Sequence, residues 1–188
     1  MNPTTTLPRT LTIELLAIDL ATCSRCTGSL ANLEQAIATL QPVLASTGTA
    51  VDFHKILVES EAQAQQLRFV SSPTIRVNGQ DISLETTESR CGDCSDISGS
   101  QGGTACRTWS YQGESHTEAP VGMIVDAILR ALYQAEPPTS AVSPLDSAAP
   151  TAVPQNLQAF FQAKAGRKAN LTGGCGTPQP VATGCGCA

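Results

Sequence analysis

The sequence is short of several residue types at once. Aromatic residues make up 4% of its 188 positions, charged residues 14%, and histidine and methionine occur twice each. Positive charge is scarce: 11 Lys and Arg stand against 16 Asp and Glu, a net charge of -5. A general nucleic-acid binder needs a basic surface to neutralise phosphates, so that class is set aside. No apolar run approaches the roughly 18–20 residues a membrane span requires. Gly-x-Gly-x-x-Gly, Walker, and Gly-x-Ser-x-Gly motifs are missing, as is a paired-carboxylate constellation. The stretch Met1 to Arg9 has no basic segment followed by a long apolar one. It does not read as a secretory leader, and the expected location is cytoplasmic.

What the sequence has instead is cysteine, eight in all. An even count admits a disulfide framework, but a chain of this length can bury a core without staples. In a reducing compartment, paired cysteines are more often catalytic or metal-binding. They fall into three groups: Cys23 and Cys26; Cys91, Cys94 and Cys106; Cys175, Cys185 and Cys187.

Periodicity places the groups on elements. Leu11 to Ile18 is a short apolar run that predicts a buried strand. After Cys26, Leu30, Leu33, Ile37, Leu40 and Leu44 recur every three or four residues and predict an amphipathic helix. Pro42 within it is expected to kink or shorten it. Ala50 to Val58 predicts a second strand, and Ser60 to Arg68 a short helix. Asn78-Gly79 between apolar residues predicts a hairpin, and Pro73, just before it, is free to take either a cis or a trans bond. Residues 85–105, rich in Gly, Ser, Cys and Asp, read as a loop insertion. Arg107 to Gln112 has strand character, and Val121 to Tyr133 predicts a helix with Val121, Ile124, Val125, Ile128, Leu129 and Leu132 on one face. The expected organisation is a domain over 9–134, a Pro/Ala/Ser-rich linker over 135–155, and over 156–188 a short helix plus a mobile Gly/Cys-rich tail.

A Cys-x-x-Cys at a helix start puts its first sulfur near unpaired N–H groups and the positive end of the dipole. That favours thiolate, the nucleophilic form, at Cys23; Arg25 adds positive charge, and Cys26 lies one turn on, able to resolve a mixed disulfide. The pair also suits an inert bond or a metal. Cys91-Gly92-Asp93-Cys94 is a second such motif in a glycine-rich loop, with Cys106 and His116 beyond it. Zinc or another soft metal, a disulfide with a spare thiol, and a dithiol relay to Cys23 and Cys26 all fit that group. Cys175, Cys185 and Cys187, set among glycines, suit a soft ion such as arsenic(III), mercury(II) or copper(I). His54 reads as an ordinary strand residue.

The order of strand, Cys-x-x-Cys, helix, strand, proline-opened hairpin and final helix resembles the thioredoxin fold. The stretches Leu20 to Cys26 and Arg68 to Gly79 look more narrowly like a bacterial thioredoxin-like family whose members occur near metalloid- or mercury-resistance genes. The resemblance covers about residues 9–134. It implies an α/β fold, a three-layer β-α-β-α-β-β-α arrangement with a Cys-containing insertion. It also implies that Cys23 attacks, Cys26 resolves and Pro73 is the cis-proline that faces them and seats a partner. The leading expectation is a thiol–disulfide oxidoreductase acting on a disulfide-bearing protein, with no required cofactor. The alternatives are a carrier of thiophilic ions (arsenic, mercury, copper or zinc) and a module with structural cysteines.

Overall fold

The computed structural model describes residues 9–99, 103–134 and 152–172. The fold is mixed α/β. Its elements are β1 (Arg9–Ala17), α1 (Ser24–Ser46), β2 (Thr49–Leu57), α2 (Glu61–Gln66), β3 (Thr74–Val77), β4 (Gln80–Asp81), β5 (Thr87–Cys91), α3 (Gly92–Ser98), β6 (Thr104–Tyr111), β7 (Glu114–His116), α4 (Val121–Tyr133) and α5 (Gln155–Thr172). A four-stranded sheet runs in the order β2-β1-β3-β4, and a three-stranded one in the order β5-β6-β7. β1 and β2 are parallel, joined by the α1 crossover, while β3 returns antiparallel to β1. Asn78 and Gly79 both take positive φ (51° and 77°), as a tight hairpin turn between β3 and β4 demands.

Alternation along β1 divides the interior in two. Leu11, Ile13 and Leu15 join Leu33, Ala36, Leu40 and Leu44 of α1, Ile75 and Val77 of β3, and Ile124, Ile128 and Leu132 of α4. Leu16 and Ile18 belong instead to a second cluster with Phe69, five cysteines, and Leu157, Phe160 and Phe161 of α5. Burying one such aliphatic or aromatic side chain contributes about 1.5–3 kcal/mol, so both clusters matter to stability.

Three expectations are corrected. Residues 85–105 are not a plain loop: β5, α3 and the start of β6 form there, because β5 pairs with β6 from Thr87↔Thr108 to Cys91↔Thr104 and the cysteines supply the apolar interior that Leu and Ile supply elsewhere. Helix α1 is not shortened at Pro42: it runs through it to Ser46. Helix α5 extends over 18 residues and lies against α3, β6 and α2, since Leu157, Phe160 and Phe161 need burial. Most of the linker expected over 135–155, and Cys175, Cys185 and Cys187, lie outside the described residues. No helix among the described residues is long and apolar enough to cross a membrane.

Candidate functional site: a buried thiol centre

The two Cys-x-x-Cys motifs have the same local build. Cys23 is the N-cap of α1 in extended conformation (φ -71°, ψ 110°), and Cys91 is the N-cap of α3 (φ -121°, ψ 116°). In each, the second cysteine sits in the first helical turn. The carbonyl of Cys23 accepts from the N–H groups of Cys26 (3.1 Å) and Thr27 (3.0 Å), which starts the helix. The motifs meet: the thiol of Cys94, 71 positions beyond Cys23, donates to the Cys23 sulfur at 3.4 Å. Cys106, from β6, donates to Cys94 at 3.1 Å. Cys26 Sγ lies 3.4 Å from Ser72 Oγ, next to the cis Ser72–Pro73 bond.

All five cysteines are free thiols, and all are buried. The sulfurs of Cys23, Cys91 and Cys94 lie within 4.8 Å of one another and could hold a metal ion. The spacings of 3.1 and 3.4 Å are too long for a disulfide, about 2.05 Å. They are shorter than the roughly 3.8 Å between sulfurs in tetrahedral zinc thiolate, from a Zn–S length of about 2.3 Å.

The thiol contacts set the protonation pattern. The thiols of Cys106, Cys26 and Cys94 turn to the Cys23 sulfur and hold it far below the ordinary thiol range; burial opposes this, and the Cys26 N–H adds to it. The Cys26 thiol is pushed up by its hydrogen bond to Cys23 and by burial. Cys94 is raised by its bonds to Cys106 and Cys23. Cys106 is raised mainly by its bond to Cys23, with burial acting the same way. One anion, at Cys23, is thus shared among protonated neighbours.

Residues inside each motif fasten it to the other. Asp93 accepts from the N–H of Ser24 at 2.7 Å, capping α1 from the second motif. Hydrogen bonds from the Ser24 hydroxyl and then from its N–H hold the Asp93 carboxyl below its usual range. Arg25 reaches the other way, donating to the carbonyls of Arg90 (2.6 Å), Cys106 (3.2 Å) and Ser89 (3.3 Å). Its guanidinium therefore clamps β5 and β6. Asp19 orders the turn before α1: one carboxylate oxygen accepts from the N–H groups of Ala21 (3.1 Å), Thr22 (2.7 Å) and Cys23 (2.7 Å) and from the Thr22 hydroxyl (3.1 Å). Partial burial works to raise the Asp19 pKa, but these bonds outweigh it and leave it lowered. On the far side, the Arg107 N–H donates to the Ser72 carbonyl at 2.8 Å, so β6 lies directly on the Pro73 loop. The fully buried Arg107 side chain pairs with Asp81 (2.7 Å) and stacks on Trp109.

The structure thus joins two cysteine groups that read as separate in the sequence. His116 is not among the ligand atoms that come together; it lies on β7, opposite Trp109 and 4.0 Å from Glu114. His54 sits on β2, 3.0 Å from Asp52. Sequence reasoning passed over Asp19 and Asp93. An Asp four residues before a helix-start cysteine is a local turn signal that could have found the first. No local signal marks the second.

A family model described as a domain of unknown function (DUF2703) matches residues 11–128, well over half of the chain. No curated protein and no solved structure matches it.

Proposed function

This chain belongs to the DUF2703 family, and we propose that it binds a soft, thiophilic metal or metalloid ion in its buried thiol centre, as a carrier or resistance accessory. One observation carries the reading: three sulfurs from two helix starts converge within 4.8 Å in a buried, apolar setting. Thiolates select soft ions over hard ones. A reactive dithiol that serves protein disulfides must be reached by them, and Cys23 is 0% exposed here.

Native mass spectrometry of anaerobically purified chain, with and without thiol alkylation, tests the proposal. One ion per chain is expected on titration with arsenite, mercury(II), zinc(II) or copper(I), and prior alkylation blocks it. Binding of none of the four refutes it.

A second reading is thiol–disulfide exchange through Cys23 and Cys26. It is favoured by the low Cys23 pKa at the start of α1 and by the β2-β1-β3-β4 sheet order, which agrees with the thioredoxin-like resemblance. It predicts that Cys23→Ser abolishes reductant-driven reduction of a model disulfide. Unchanged turnover in that variant removes it.

A further inference from the structure

We propose that the centre selects a trivalent metalloid, held by Cys23, Cys91 and Cys94 as an electrically neutral three-thiolate complex. The inference rests on the ion-binding reading above and narrows it by charge.

The surroundings are apolar: Leu16, Ile18, Phe69, Leu157, Phe160 and Phe161 pack with the sulfurs. Three charged groups touch the rim: the cation Arg25, and the carboxylates Asp93 and Asp19, which accept from the N–H groups of Ser24 and Cys23. Arg107, the fully buried cation, is neutralised by Asp81. Among the described residues, then, no net positive charge compensates an anionic complex. Zinc(II) with four thiolates carries two negative charges, and copper(I) with two or three carries one or two. A trivalent ion with three thiolates carries none, and a buried site without counter-charge disfavours every charged alternative.

Packing points the same way. A trivalent metalloid keeps a lone pair, which compresses the angles between its three sulfurs below tetrahedral. The Cys23–Cys94 spacing of 3.4 Å is shorter than tetrahedral zinc prefers, about 3.8 Å. A linear two-coordinate ion holds its two sulfurs twice the metal–sulfur length apart, well beyond the 3.4 Å between Cys23 and Cys94. Loading is an exchange without redox. Counted from neutral thiols, X(OH)3 and three Cys–SH give X(S–Cys)3 and three waters. Three X–S bonds form, three X–O bonds break, and each thiol proton leaves with a hydroxide. Where Cys23 is already thiolate, its hydroxide leaves as hydroxide ion.

The test uses the reduced full-length chain under anaerobic conditions, with arsenite as the probe. X-ray absorption on the loaded protein is expected to count three sulfurs at arsenic, and equimolar zinc is expected not to displace it. Cys23→Ser, Cys91→Ser and Cys94→Ser should each weaken arsenite at least about a hundredfold. The triple variant C175S/C185S/C187S should retain arsenite. Two or four sulfurs at arsenic, displacement by zinc, or loss of arsenite in the triple variant overturns the inference while the ion-binding reading stands. If none of the four probe ions binds, the broader reading falls with it. The sulfur count on the unsubstituted chain decides the matter even if a serine variant does not fold.

Discussion

Phe160→Ala isolates the role of α5. The Phe160 ring is 0% exposed, meets Phe161 edge to face at 5.4 Å, and packs in the cluster that contains the five thiols. Truncating a core Phe to Ala costs about 3–5 kcal/mol. Because α5 is a single helix at one end of the described chain, that loss falls first on its docking, as local opening rather than global unfolding. At about 3 kcal/mol, with 1.4 kcal/mol per tenfold, the undocked population rises roughly a hundredfold. Thiols shielded by α5 should then alkylate roughly a hundredfold faster. Mass spectrometry of peptides carrying Cys23, Cys26, Cys91, Cys94 and Cys106, sampled over time with iodoacetamide, measures this directly. Leu132→Ala is the control: Leu132 lies in the other cluster, away from the thiols, and its loss costs a comparable about 2–5 kcal/mol. If Phe160→Ala labels no faster than Leu132→Ala at equal destabilisation, α5 does not shield the centre and the reasoning fails.

Three other perturbations have worked outcomes. Asp19→Ala should cost about 1 kcal/mol at neutral pH. Its folded pKa is lowered, so that contribution is complete above the ordinary carboxyl range and disappears as pH falls through the folded value. Denaturant midpoints of the two proteins should converge in acid, and a constant gap down to the lowest pH would count against the cap. Arg107→Met removes a buried cation paired with Asp81 and should lower stability by about 3 kcal/mol in urea unfolding; a change under about 0.5 kcal/mol would mean the pair is dispensable. Arg25→Ala should lower the urea midpoint only modestly, because water can replace it on the exposed Ser89 and Arg90 carbonyls, though not on the part-buried Cys106 carbonyl. It should weaken ion binding about tenfold by loosening β5 and β6, and unaltered affinity would deny it the clamping role.

Much of the framework was legible. The 3.6-residue stripe of α1, the apolar run of β1, the Asn78-Gly79 turn and the bounds of α4 need only local pattern, and Val121 to Tyr133 came out as read. The insertion did not, because Cys91, Cys94 and Cys106 count as polar punctuation in a glycine-rich stretch until their burial shows them to be its core. Helix α5 was underestimated for the opposite reason. Beyond Phe161 its residues are mostly polar or small, so nothing after the first two turns shows a stripe. The centre itself was half visible. Each Cys-x-x-Cys stood out alone, but no periodicity says that Ser24 will meet Asp93, or that Arg25 will reach Arg90.

The contacts that build the centre span long stretches of chain. Ser24 reaches Asp93 across 69 positions and Cys23 reaches Cys94 across 71. A chain made from its N-terminus therefore holds the first sulfur pair long before the second exists. It has three converging sulfurs only once Cys94 is in place, and its aromatic cover only once Phe160 and Phe161 have followed. Synthesis thus passes through an interval in which the sulfurs are together and still open, and the arrival of helix α5 closes it.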